Sequence, residues 1–284
     1  MPEIRVVVPE QTDKMLDSLL KLGFGSSKAE LARLAIFQML TTLPDRFSKD
    51  LHVESGFSPE GRIPQIEYAM ETLNYGYLVA GAASSEGVVL AKRLPSPTEG
   101  LARLSHEIVN DPGEHYRTIQ RVGSSIAVGR VGIDPDSRFV LMEAIARTKK
   151  AEVDGNVDVY KLSDTIAAII HEHTVRKDCR VLGAGFIIGG LDTNDVPRLI
   201  QVDPSGSAFG VKVAAFGSNW SDVRHKMMDQ IDSQDLSQEE TTRMVIEAAL
   251  QERVDPEYLL VDVLDRETKA FRELTLEEKK TFLA

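Results

Sequence analysis

Cysteine is almost missing from this chain. Cys179 stands alone among 284 residues, so no intramolecular disulfide can brace the fold, and the usage fits a reducing compartment. No apolar run approaches the length of a membrane span, and no signal-peptide pattern opens the sequence. Both absences set the expectation of a cytoplasmic protein with no membrane partner. Positive charge is in deficit, 33 Lys and Arg against 44 Asp and Glu, for a net −11. That balance argues against wholesale binding to nucleic acid. What remains is ordinary globular composition, 42% apolar and 27% charged, long enough for one large domain or two small ones.

The charge deficit is not spread evenly. Residues 1–50 hold Arg5, Lys14, Lys21, Lys28, Arg33, Arg46 and Lys49 against Glu3, Glu10, Asp13, Asp17, Glu30, Asp45 and Asp50. They sum to zero, so the whole deficit lies in residues 51–284, and a module boundary near residue 50 is expected. Within the first module, Glu3–Val8 is a short β-branched run closed by Pro9, which reads as a strand. Met15, Leu16, Leu19 and Leu20 follow at helical spacing up to Gly23. Ser27 opens a second helix, with Glu30 completing a capping box. From Leu31 to Leu40 that helix is apolar nearly all round, and Pro44 closes it. So small a unit cannot bury that much apolar surface alone, and a partner is implied.

Strand, proline, helix, Gly23-Phe24-Gly25-Ser26-Ser27 turn and helix together resemble the ribbon-helix-helix family over about residues 3–43. The resemblance implies that two chains pair their strands into an antiparallel ribbon, making residues 1–44 a dimerisation module and 45–56 a linker. In such a ribbon Glu3, Arg5 and Val7 face outward. DNA-reading ribbons need donors or cations there, and one arginine beside a glutamate and a valine is a poor set. The amides of Ser26 and Ser27 offer a phosphate site at a helix start. Dimerisation without DNA binding is therefore favoured, with a DNA-binding regulator as the alternative.

The stretch Phe57-Ser58-Pro59-Glu60-Gly61-Arg62-Ile63-Pro64-Gln65-Ile66-Glu67-Tyr68-Ala69 organises the rest. Chemically it is a turn followed by a helix start, with Pro64 in the first helical turn and Gly76 expected as a left-handed cap after about Tyr75. The full string resembles the N-terminal signature of proteasome alpha-type subunits. Pro59, Gly61, Arg62, Gln65, Glu67 and Tyr68 carry the match. The Tyr-Asp-Arg segment that alpha-type subunits usually place just before it falls on Asp50, Leu51 and His52, so the gating tyrosine and aspartate are replaced while Pro59 and Tyr68 are kept.

Downstream, the spacing predicts strands at Tyr77–Ala83, Val88–Arg93, Arg117–Val122, Ser125–Gly129, Val181–Leu191, Arg198–Val202, Ser207–Phe216, Tyr258–Val263 and Ala270–Leu274. A polar segment at about 95–115 reads as a surface insertion. Helices are expected from Asp134 (as N-cap before Pro135) to Lys150, and over Leu162–Lys177, Trp220–Ile231 and Glu239–Glu252. Capping boxes stand at Ser237/Glu240 and Thr275/Glu278, the second opening a final helix. This order resembles the proteasome-type fold over residues 57–284. That is an α+β, four-layer αββα sandwich of the N-terminal-nucleophile hydrolase type.

Enzymes of that class need a Thr, Ser or Cys at a processed chain start, whose own amine acts as base. The resemblance puts that position at Tyr77 and the supporting lysine at Thr118. Neither residue can do the task, so a peptidase or transpeptidase is disfavoured. The expected role is a non-catalytic subunit in protein degradation, a homo-oligomeric ring scaffold and gate with beta subunits as further partners. Thr118, with Arg117 pointing to the other face of the strand, also makes a degenerate version of the pocket in which activator C-termini dock. No motif asks for a cofactor or a metal. His171 and His173 sit two apart on a helix and face different ways, Cys179 is expected buried and inert, and Met227-Met228 reads as core. Gly183, Gly185, Gly189 and Gly190 do not lead a strand into a helix and so do not make a phosphate cradle.

Overall fold

The computed structural model describes residues 9–21, 27–33, 57–58, 61–94, 119–151, 157–176, 178–231, 236–251 and 255–283. The expected strand with Glu3, Arg5 and Val7, the turn through Ser26, residues 34–56 with Asp50, Leu51 and His52, Pro59, the 95–115 insertion, Arg117 and Thr118 lie outside them. The chain divides into two units, Met1–Glu54 and Ser55–Ala284.

In the first unit, helix α1 spans Glu10–Lys21, and residues 28–33 are helical after Ser27. Ser27 Oγ accepts the Glu30 amide at 3.2 Å, one arm of the expected box. Lys28 Nζ bridges Asp13 (2.8 Å) and Asp17 (2.9 Å), one turn apart on α1. Leu31 is buried.

The second unit begins with α2, Pro64–Asn74. Among the described residues ten strands follow: β1 Val79–Ala83, β2 Gly87–Arg93, β3 Ile119–Val122, β4 Ile126–Gly132, β5 Ala184–Leu191, β6 Pro197–Val202, β7 Ala208–Val211, β8 Val213–Phe216, β9 Leu259–Asp265 and β10 Ala270–Glu273. They form two antiparallel sheets in the orders β10-β9-β2-β1-β8 and β3-β4-β5-β6-β7. Interleaved are α3 Asp134–Ala151, α4 Val159–Val175, α5 Trp220–Ile231, α6 Gln238–Leu250 and α7 Leu276–Leu283.

Strand alternation divides the apolar residues into three layers. Val79, Val88, Leu90, Ala127, Ile187, Leu199 and Ala214 meet between the sheets. Their neighbours Ala80, Ala82, Val89 and Ala91 turn outward to Val223, Met227, Met244 and Ile246 of α5 and α6. On the other side Val128, Phe186, Ile188 and Ile200 meet Leu141, Ala144, Leu162, Ile166 and Ile170 of α3 and α4. The result is the four-layer sandwich. Arg121 on β3 and buried Asp262 on β9 clasp the sheets together (2.8 and 3.2 Å).

Local signals work as expected at several ends. Ser237 and Glu240 make a full capping box, and Thr275 and Glu278 a second. The Asp203–Gly206 turn closes with Gly206 N to Asp203 O at 3.0 Å. β5 is buried along its whole length in the centre of its sheet.

Other expectations need correction. The expected strand Ser207–Phe216 is two: β7 pairs with β6, and after Lys212 the chain changes sheets so that β8 pairs with β1. Gly76 is not left-handed, and the cap of α2 is Tyr75, in the right-handed region. Glycine is needed there because a Cβ would stand 2.6 Å from Val131 Cγ1. Asp134 lies inside α3 rather than capping it, and its carboxylate pairs with Arg130 at 3.3 Å. The true cap of α4 is Asp158, which accepts the Tyr160 amide. β5 starts only at Ala184, because the Gly183 amide donates to Asp136 and its carbonyl accepts the Ile133 amide.

Candidate functional site

The signature stretch folds as a small self-bonded turn. Ser58 N donates to Arg62 O at 2.7 Å, Gly61 N donates to Ser58 O at 2.8 Å, and Arg62 N donates to Ser58 Oγ at 3.3 Å. Gly61 takes φ +79°, a conformation that an L side chain resists. The Arg62 guanidinium pairs with the Glu67 carboxylate, fastening the turn to the first turn of α2. Gln65 is half-buried, while Tyr68 stands exposed. The structure thus brings Gly61, Arg62 and Glu67 together and leaves Tyr68 facing outward.

The helix has a second face. Ala69 and Leu73 are buried, and Leu73 joins the layer between the sheets. It fits there because the facing positions are glycines. A Cβ on Gly185 would stand 2.9 Å from Leu73 Cδ1, and one on Gly183 would stand 2.6 Å from Thr72 Oγ1. At Gly132 the backbone is left-handed (φ +102°), and a Cβ would meet Gly183 O at 2.1 Å. These glycines form a seat for α2 across one end of the sandwich. Asn74 Oδ1 accepts the Trp220 Nε1 proton at 2.9 Å, tying the helix to α5. Leu73 and its seat escaped the sequence reading; their signal was the last apolar residue of the helix, set against Gly132, Gly183 and Gly185.

From α2 the chain runs without interruption into β1. Gly76 N donates to Leu73 O (3.1 Å), and Gly76 O accepts Ser218 N (2.9 Å). Tyr77 is half-buried and peptide-bonded on both sides. It offers a phenol and an amide where an N-terminal nucleophile would need a hydroxyl or thiol beside a free amine.

Two further charged clusters lie near this end. Asp136 is buried and accepts hydrogen bonds from Arg180 Nη1 and Nη2, each at 2.6 Å, and from the Gly183 amide at 3.0 Å. Burial alone would raise its carboxyl, but these hydrogen bonds outweigh it and hold the group below the usual carboxylate value. Lys92, on β2, places Nζ 3.2 Å from Arg130 O. Burial, and then the Arg130 guanidinium, pull its ammonium down to about 8.

The remaining candidates recede. Among the described residues no group of His, Cys, Asp and Glu could hold a metal ion. His173 rests edge-on to Phe139, 5.9 Å between ring centres, and Glu172 pairs with Arg147. Cys179 is half-buried rather than buried. Met227 is core, but Met228 is exposed. Among the described residues no helix is long and apolar enough to cross a membrane.

Comparison with known proteins agrees with this geometry. The proteasome subunit family profile matches residues 75–255. Proteasome subunit alpha 1 of Haloarcula marismortui is 32% identical over 234 residues, 80% of this chain and 85% of that one. Proteasome subunit alpha of Pyrococcus horikoshii is 28% identical over 231 residues, 80% and 84% respectively. Proteasome subunit alpha type-7 of Dictyostelium discoideum is 28% identical over 197 residues, 69% and 74%. With helix α2 seated on the sandwich, and on the strength of these matches, the chain belongs to the proteasome subunit family, as a non-catalytic member of the alpha type.

Proposed function

We propose that this chain is the scaffold and gate subunit of a ring that stacks with proteasome beta subunits, in the cytoplasm. The observation that carries the reading is the seating of Leu73 and Thr72 in the glycine cradle. It occupies one end of the sandwich and presents Gly61, Arg62 and Tyr68 on the outside, with Gln65 and Glu67 half-buried beside them. Pro59 and Tyr68 are the retained half of the gate, while Asp50 and Leu51 replace its other half. The gate of this ring therefore works without the usual tyrosine–aspartate contacts, and the Arg117/Thr118 pocket gives an activator's carboxylate no lysine. The exposed Phe139 and Met142 of α3 belong to a face that meets other subunits. Residues 1–44 act as a homotypic two-fold module, joined by the linker 45–56 to the alpha-type domain 57–284. DNA binding through Arg5, Ser26 and Ser27 is the weaker reading, because the module carries no net charge.

The purified chain should turn over no fluorogenic peptide and should stay intact at Gly76-Tyr77. With a catalytic beta-type partner added, peptide turnover should appear in a high-mass particle. Cleavage before Tyr77 by mass spectrometry, or turnover by the chain alone, would overturn the scaffold reading.

A further inference from the structure

Helix α1 has satisfied polar groups and an unsatisfied apolar row. Glu10 pairs with Lys14 at 2.8 Å, and Asp13 and Asp17 share Lys28. On the apolar row, Met15 is 64% exposed and Leu19 is 37% exposed, while Leu16 and Leu20 are half-buried. Isolated exposed apolar residues are common, but a row at helical spacing on a small unit marks a contact face.

Charge decides what covers it. Residues 1–50 hold seven cations and seven anions, while the rest of the chain carries the full −11. A strongly basic or acidic partner would meet no opposing field on this module. A second copy brings the same net-neutral module, with Glu10, Asp13 and Asp17 of its α1 already paired to its own lysines, and so pays little repulsion there. The occupant that fits is another molecule of this chain.

Symmetry then decides which molecule. Two identical faces pair about a two-fold axis, whereas ring contacts are head-to-tail. No two-fold axis relates neighbours in a closed ring of more than two chains. Pairing neighbours would make alternate contacts unequal, and in any odd ring it would leave one module uncovered. Two rings related by two-fold axes pair every module equivalently. We infer that the N-terminal modules join two rings of this chain, one module of each pair coming from each ring. This rests on the ring reading above. About a dozen linker residues, at ~3.3 Å each when extended, set an upper limit of ~40 Å on the stretch between a module and its own alpha-type domain.

Native mass spectrometry of the full chain, beside the Met15→Glu/Leu19→Glu double variant, tests it. The wild type should contain an even number of chains, and the variant should show a twofold fall in particle mass with unchanged far-UV circular dichroism. Leu19→Gln alone should shift the same equilibrium toward single rings on dilution. A wild-type single ring, or a variant of unchanged mass, would overturn the inference and leave the ring reading standing. Wild-type dimers that become monomers in the variant would overturn both.

Discussion

The two helical layers of the sandwich do the same task and finish differently. Each covers one sheet with its own apolar cluster, Leu141, Leu162, Ile166 and Ile170 on one side, Val223, Met227, Met244 and Ile246 on the other. Outside, α5 and α6 expose a single large apolar side chain among their described residues, Met228 at 37%. The α3–α4 layer exposes Phe139 (49%), Met142 (52%), Tyr160 and Val175. Their buried charges differ as well. Behind α6, Lys279 of α7 donates to Leu259 O at 2.7 Å, its ammonium pulled down by burial. In the α3 layer Asp136 takes three hydrogen bonds. The difference teaches that one layer is finished for water while the other keeps apolar area in reserve for contact.

The largest expected effects test the similarity. Phe186→Ala, under α3 and α4, should cost roughly 3–5 kcal/mol and Met244→Ala, in α6, roughly 2–5 kcal/mol, read by denaturant unfolding. A negligible loss at either site would break the view that each layer has its own core.

Next comes the buried carboxylate. Asp136→Asn should cost about 1–3 kcal/mol at neutral pH, because Arg180 and the Gly183 amide lose a charged acceptor. The Asp136 carboxyl is depressed in the folded state, so its contribution is present above the ordinary value of about 4 and is lost as pH falls through the folded one. The gap between wild type and variant should close below that value. A gap constant down to acid unfolding would show that the charge is not what stabilises.

Lys92→Met should be smaller, a gain on the order of 1 kcal/mol at pH 7 from removing a desolvated charge, offset in part by the lost bond to Arg130 O. The folded Lys92 ammonium sits at about 8, against an ordinary value of 10.5. The wild type therefore regains stability as pH rises from 8 to 10.5, and the advantage of the variant should vanish within that window and then reverse. Thermal melts at pH 7, 9 and 10.5 decide it.

The smallest change in stability should accompany the largest change in assembly. Phe139→Glu with Met142→Glu should alter unfolding by no more than ~0.5 kcal/mol yet remove high-mass particles in size-exclusion chromatography. Met228→Glu should do neither. Equal effects from both layers would erase the distinction between them.

Much of the architecture was legible in the residues because its signals are local. Pro64 sits in the first turn of α2, Ser237 caps α6, and Trp220–Ile231 is helical over the residues its spacing predicted. The signature turn was equally legible, and it led to Arg62, Glu67 and Tyr68. Illegible were the partners that lie far apart along the chain. Nothing near Asp136 announces Arg180, and nothing near Arg121 announces Asp262. The change of sheets at Lys212 was hidden too, since Ser207–Phe216 has strand chemistry throughout and only the neighbours available on each side divide it.

By itself the sequence determined the capping boxes at Ser237/Glu240 and Thr275/Glu278, the Asp203–Gly206 turn and the zero net charge of the first fifty residues. Those depend on a residue's own chemistry and on neighbours within one turn. Only the tertiary structure decided that Leu73 fills the end of the sandwich and that Gly76, Gly132 and Gly185 are glycines for want of room. It also decided that Asp136 and Lys92 are placed where burial and neighbours move their protons. Those are properties of packed space, set when distant segments exclude water and one another.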